Sequence, residues 1–223
     1  MRDVVEDGGT AGRSAGEQYD RLRAAREKRV KDRYGQRLGS VLLAISDEPQ
    51  STRAWASGAE GERELAAALA DLADVRVLHD RAVPGTRGNI DHVVVAPAGV
   101  FVVDAKAHTG EICVRDVGGL FKRDVRLFVG GRDCSALAIG LTWQVAAVER
   151  ALSADGALPR PPTTPVLCFV HGEWPLVFPP SSFRGVRLEG KRSIKKLLTS
   201  EKVLDAERID QLYHLLATQL RAK

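Results

Sequence analysis

The sequence predicts an α/β fold, a mixed β-sheet flanked by helices and preceded by a basic N-terminal helix. Three observations carry that expectation. Two β-branched runs, Ile90–Val95 and Val100–Ala105, flank Ala96-Pro97-Ala98-Gly99 and read as a β-hairpin. Apolar residues recur at helical spacing in Leu65, Leu69, Leu72 and again in Leu141, Val145, Val148, Leu152. Val166–Val170 is apolar throughout, as a central strand is.

The bounds are those of one domain with extensions. A chain of 223 residues with 44% hydrophobic content is large enough to bury a substantial core. The net charge of +4 favours a polyanionic partner only mildly. No stretch approaches the roughly 18 apolar residues of a membrane span. MRDVVEDGGT holds no apolar signal-peptide core. Cys113, Cys134 and Cys168 are odd in number and lack C-x-x-C spacing, which speaks for a reducing cytoplasm and against a disulfide framework or a zinc site.

In chain order, residues 1–12 are Gly-, Asp- and Glu-rich and are expected to be disordered. A basic helical arm and linker occupies 13–52. Its helix runs from Ser14 to about Arg37, and Arg13–Arg37 holds nine Lys/Arg against four Asp/Glu with a thin apolar stripe. That helix is either a solvated face laced with i,i+4 pairs or an arm that touches phosphates or acidic headgroups. Val41–Ile45 is too short to span a bilayer and is expected to pack on the domain, with Asp47–Thr52 as linker. The main domain takes 53–223. Its first helix starts with Ser57 as N-cap, so Glu62 either joins the buried stripe as a paired or metal-bound carboxylate or serves the helix dipole from the first turn. Val75–Asp80 forms a strand, the hairpin follows, and Glu111–Arg115 continues the sheet. Leu120–Lys122 and Val125–Val129 make a second hairpin closed by Gly130-Gly131. A helix over Gly140–Ala154 places Gln144 beside its stripe. Beyond the loop Asp155–Pro165 come the central strand, a Pro-rich connection at Pro175–Ser182, a strand at Gly185–Leu188, and helices near Ser193–Leu198 and Asp205–Arg221.

The polar residues of the first hairpin carry the chemistry. Side chains alternate along a strand, so Val100, Val102, Asp104 and Lys106 share one face. A connection of two or four residues puts Asp91 opposite Asp104; a three-residue loop with a Gly bulge, which Pro97 and Gly99 also suit, separates them. The even register gives the three polar groups a common purpose. Facing carboxylates repel unless a cation lies between them, and a set of hard oxygen donors suits Mg²⁺ or Mn²⁺ better than Zn²⁺. Glu62, Asp91, Asp104 and Lys106, with Gln144 as a fifth, thus form the candidate catalytic set, and the three acids the candidate metal ligands. The plain alternatives are a strand-end ion pair for Asp104 and Lys106, a turn residue for Asp91 and a backbone-capping amide for Gln144. His92 falls on the face opposite Asp91 and reads as structural; His108 shares the Lys106 face. Trp143 and Trp174 are expected in the core, and Trp55 packs on the helix or stacks on a base.

These residues resemble a known family. Gly58-Ala59-Glu60-Gly61-Glu62, Gly88-Asn89-Ile90-Asp91-His92, Gly99 through Lys106, Gly110 and Gln144 stand in the order and spacing of the nuclease-related domain, NERD, within the PD-(D/E)xK nuclease superfamily. The resemblance covers about residues 57–152. It implies a restriction-endonuclease-like mixed sheet, metal binding by Asp91 and Asp104, catalysis by Lys106 and a supporting acid at Glu62. Ile90 stands where the superfamily name has Pro, and Asp104 replaces the Glu more usual in the subgroup.

A metal-dependent nuclease acting on DNA is therefore the leading expectation. The competing readings are a non-catalytic nucleic-acid-binding module of the same fold, and an accessory protein docking through its basic N-terminal helix. The acids favour the first, because phosphate binding alone calls for Lys and Arg without carboxylates.

Overall fold

The computed structural model describes residues 8–119, 122–154 and 160–223. Its centre is a six-stranded mixed sheet in the order β1-β2-β3-β7-β10-β9, built from Arg76–Ala82 (β1), Asn89–Ala96 (β2), Gly99–Lys106 (β3), Thr163–Phe169 (β7), Val186–Glu189 (β10) and Ser182–Phe183 (β9). β1, β2 and β3 form an antiparallel meander, whereas β3, β7 and β10 run parallel. A smaller sheet, β6-β5-β4-β8, joins Arg132–Asp133 (β6), Val125–Val129 (β5), Gly110–Asp116 (β4) and Gly172–Glu173 (β8).

Alternation along β3 sorts the core into two layers. Val100 and Val102 face one side, where α4 (Ala136–Ser153) and α6 (Ala206–Gln219) bring Leu141, Val148, Leu212 and Leu216. Phe101 and Val103 face the other, where α3 (Gln50–Ala70) and α5 (Lys191–Thr199) bring Leu65, Leu69, Ile194 and Leu198. β7 is covered on both faces, which is why its run Val166–Phe169 is apolar without alternation. The register of the β2–β3 hairpin is the even one, with Val95 opposite Val100 and Ala96 opposite Gly99 around Pro97-Ala98.

Several boundaries differ from expectation. α3 starts at Gln50 after Pro49, so Ser57 is not its N-cap and Glu62 lies in mid-helix. The polar stretch 47–52 therefore runs into the helix, which opens directly after Pro49 with no side-chain cap. α1 (Arg13–Tyr34) is solvated along nearly its whole length, with Ala15 its buried residue. α2 (Gln36–Ile45) folds back on α1, where Arg26 Nη2 donates to Ser46 Oγ at 2.7 Å and to the Asp47 carbonyl at 2.9 Å. β5 pairs with β4, and Asp116 ties the loop between them by accepting from the Gly118 and Asp124 amides. Residues 120–121 of the expected strand Leu120–Lys122 lie outside the described residues, as do 1–7 of the N-terminal segment. Residues 8–12 lie along the domain: the Gly8 carbonyl accepts from the His79 amide at 2.8 Å. Trp143 is exposed rather than in the core, lying over Gly88, where a Cβ would come within 2.5 Å of its ring. Trp174 packs against the core as expected.

Candidate acid–lysine site

The site sits at the open end of the hairpin, where β3 runs out and α3 crosses it. Gly61 allows that crossing, since a Cβ there would lie 3.1 Å from Ala107 Cβ. The close approach sets Glu62 beside the strand end. In the even register Asp91 reaches across, and its carboxylate accepts from the Ala105 amide at 3.2 Å. Asp104 and Lys106 project from alternate positions of β3, with Lys106 Nζ 2.5 Å from Asp104 Oδ1. Glu62, Asp91 and Lys106 line a cavity of about 630 Å³, together with Asn89, His108 and Arg132.

The electrostatics follow from burial and crowding. Glu62 is pushed up to about 7, chiefly by burial and then by Asp80, against the Gly12 amide and Lys106. Asp91 is raised well above the ordinary carboxyl value by burial and by the neighbouring Asp104 and Glu62. Burial opposes the Lys106 ammonium, but Asp104, Asp91 and Glu62 outweigh it and hold its pKa above normal.

A second layer was invisible in the sequence. Asp80 is 1% exposed and sits in the left-handed region at φ 47°, a conformation Asp tolerates better than most residues. Its carboxylate accepts from the Ser14 amide at 2.7 Å, from Ser14 Oγ at 2.8 Å and from Asn89 Nδ2 at 2.8 Å. The Gly12 amide donates to Glu62 Oε2 at 3.0 Å. The start of α1 thus rests on two buried acids, and one of them supplies the side-chain cap that α1 lacks locally. Contacts spanning 50 and 66 residues leave no local pattern to read.

The remaining expected residues divide. His108 lines the cavity, and burial lowers its pKa. His92 lies apart from the cavity and fully buried, its Nδ1 2.8 Å from His79 Nδ1, which agrees with a structural role. Gln144 is buried on α4 with Oε1 unmatched, but it is not among the residues lining the cavity. Trp55 stands on the cavity rim within α3, 44% exposed, rather than ahead of the helix. Arg132 was missed and carries no motif signal, whereas Asn89 lies within the Gly88–His92 motif without having been singled out for a role.

Among the described residues no group of three or more His, Cys, Asp or Glu side chains is arranged as a metal cage. Asp91 and Asp104 still fit Mg²⁺, which takes one or two protein carboxylates and fills its octahedron with water and substrate phosphate. Their mutual repulsion is the feature a cation would relieve.

Fold and site together define a mixed-sheet α/β protein of the PD-(D/E)xK-like nuclease superfamily, two acids and a lysine meeting on adjacent strands. The chain belongs to the NERD family: the nuclease-related domain matches residues 57–170, from mid-α3 to the end of β7. No curated protein and no solved structure matches the chain. Among the described residues no helix is long and apolar enough to cross a membrane.

Proposed function

We propose that the protein is a Mg²⁺- or Mn²⁺-dependent nuclease that hydrolyses phosphodiester bonds in nucleic acid, with DNA as the first substrate to test. One observation carries the reading: Glu62, Asp91 and Lys106 line an open cavity, and Asp104 behind them pairs with the same ammonium, so three crowded carboxyl groups surround it. A binding surface for phosphates has no use for such acids, whereas phosphodiester hydrolysis does. Asp91 and Asp104 would hold the cation, and Glu62 would support them from α3. When bound, the cation supplies Lewis acidity at a phosphate oxygen and acidifies water. Lys106 Nζ, released from Asp104, orients the attacking water and offsets charge building on the phosphorus. Arg132 and His108 lie on the cavity wall where a substrate phosphate enters. Gln144, with its vacant acceptor, would order water behind the strands.

The test is cleavage of labelled single- and double-stranded DNA in Mg²⁺, Mn²⁺ and EDTA, with Lys106→Ala beside the wild type. Cutting that requires metal and falls at least about a thousandfold in the variant is expected, as for loss of a charge-stabilising group. Cutting that survives EDTA, or equal cutting by both proteins, overturns the assignment. DNA binding without cutting, the same in both, would instead mark a binding module.

A further inference from the structure

We infer that the loop between β8 and β9, with the cavity at its base, binds an unpaired stretch of nucleic acid beside the acid–lysine site. The inference rests on the nuclease reading for its class of partner. Its location comes from topology. β3, β7 and β10 are parallel, and Lys106 is in register with Phe169, so whatever follows β7 and β10 emerges at the carboxyl end of these strands, the end that carries Lys106.

Two features stand at that end. The first is an apolar tip: Leu176, Val177 and Phe178 are 101%, 69% and 93% exposed. Single exposed apolar residues are ordinary, but three in a row call for a partner. The tip is stiffened by Pro175 before it and Pro179-Pro180 after it. Its base is fixed by Trp174, whose ring lies so close over Gly190 that a Cβ there would come 2.9 Å from Nε1. The second feature is a cavity of about 520 Å³ between the loop base and α5, lined by Trp174, Pro180, Arg187, Lys191 and Arg192. Arg187 Nε is buried there without an acceptor, while its Nη2 donates to Glu189, also on the cavity wall, at 2.8 Å and Lys191 Nζ donates to Glu64 at 2.7 Å. Residues 171–196 carry six Lys/Arg against two Glu.

A base-paired duplex would satisfy the basic residues and leave the tip without a partner, because its bases are stacked inside. An unpaired strand offers both chemistries at once, phosphates for the exposed Arg192 and the unmatched Nε of Arg187 and bare base faces for Phe178 and Leu176. The substrate class this implies is a duplex with a single-stranded tail or gap.

The test measures binding of fluorescein-labelled DNA, blunt or tailed, by anisotropy in EDTA, where no metal-dependent cutting occurs. The full chain is compared with Leu176→Ser/Phe178→Ser, whose substitutions lie at the solvent-exposed tip. Wild type should prefer the tailed duplex by about tenfold, and the double variant should lose that preference while keeping its affinity for blunt DNA. Equal affinity of wild type for both DNAs, or an undiminished preference in the variant, overturns the inference. So does loss of binding to anionic vesicles with DNA binding untouched, or loss of a dimer in sedimentation; these reassign the tip to lipid or to a second copy. Lys106→Ala should keep the tail preference. Failure of the nuclease reading therefore shows in the cutting assay, and failure of this inference shows in the binding assay.

Discussion

The β2–β3 hairpin and the start of α1 meet at one cavity, and they contribute opposite things. The hairpin brings Asp91, which burial and the neighbouring Asp104 and Glu62 drive toward its protonated form, an arrangement that costs stability. The start of α1 brings amides and a hydroxyl that satisfy two buried carboxylates, an arrangement that returns stability. The difference separates a crowded set of acids from a satisfied one, and the proposed function rests on the crowded set.

Substitution of the two regions should separate these contributions. Asp91→Asn keeps the shape and the acceptor for the Ala105 amide while removing a charge that burial disfavours. Metal affinity should fall by about a hundredfold or more, the scale seen when groups around a metal are lost. The metal-free variant should melt no lower than wild type. Calorimetric titration with Mn²⁺ and thermal unfolding in EDTA check both halves; a variant that binds metal normally would detach Asp91 from the site.

Glu62 tests the same contrast through pH. Its carboxyl sits at about 7 in the folded chain against an ordinary 4.5, so the folded state holds a proton that the unfolded state has lost. The associated stability is fully present below about pH 4.5 and disappears as pH rises through 7. Glu62→Gln should remove that loss and gain up to about 3 kcal/mol over wild type above pH 7, with little difference near pH 4. Urea unfolding in EDTA across this range is the measurement. The His79–His92 pair acts on the other side: burial drives His92 down to about 3, so its contribution holds above the ordinary 6.5 and is lost as pH falls toward 3. The unliganded wild type should then be most stable at mildly acidic pH.

What could be read in the sequence follows the range of each interaction. The hairpin, its even register and the convergence of Asp91, Asp104 and Lys106 were legible, since period-two alternation and a short Pro-bearing turn act within 16 residues. The helices on both faces were legible from their apolar spacing. The start of α3 was not, because Ser57 has every local mark of a cap while Pro49 begins the helix. β6, β8 and β9 are two residues each, too short for any periodicity. Gln144 looked inward on the helical wheel and is indeed buried, but a wheel does not say what lies opposite. The helix start at Ser14 was legible to within a residue, but its contacts with Asp80 and Glu62 carried no local signal.

The α1 start therefore supplies the smallest and most discriminating predictions. Gly12 has φ +73°, and a Cβ there would meet the Ala59 carbonyl at 2.6 Å, so Gly12→Ala should cost about 2 kcal/mol through strain and displacement. Ser14→Ala leaves the backbone amide on Asp80 and removes only the hydroxyl bond, for about 1 kcal/mol. Both losses should appear in urea unfolding. If the clasp only anchors the helix, Mn²⁺ affinity stays unchanged in each variant. A parallel fall in metal affinity would mean that the Gly12 amide sets the position of Glu62, and that α1, outside the matched span 57–170, belongs to the working site.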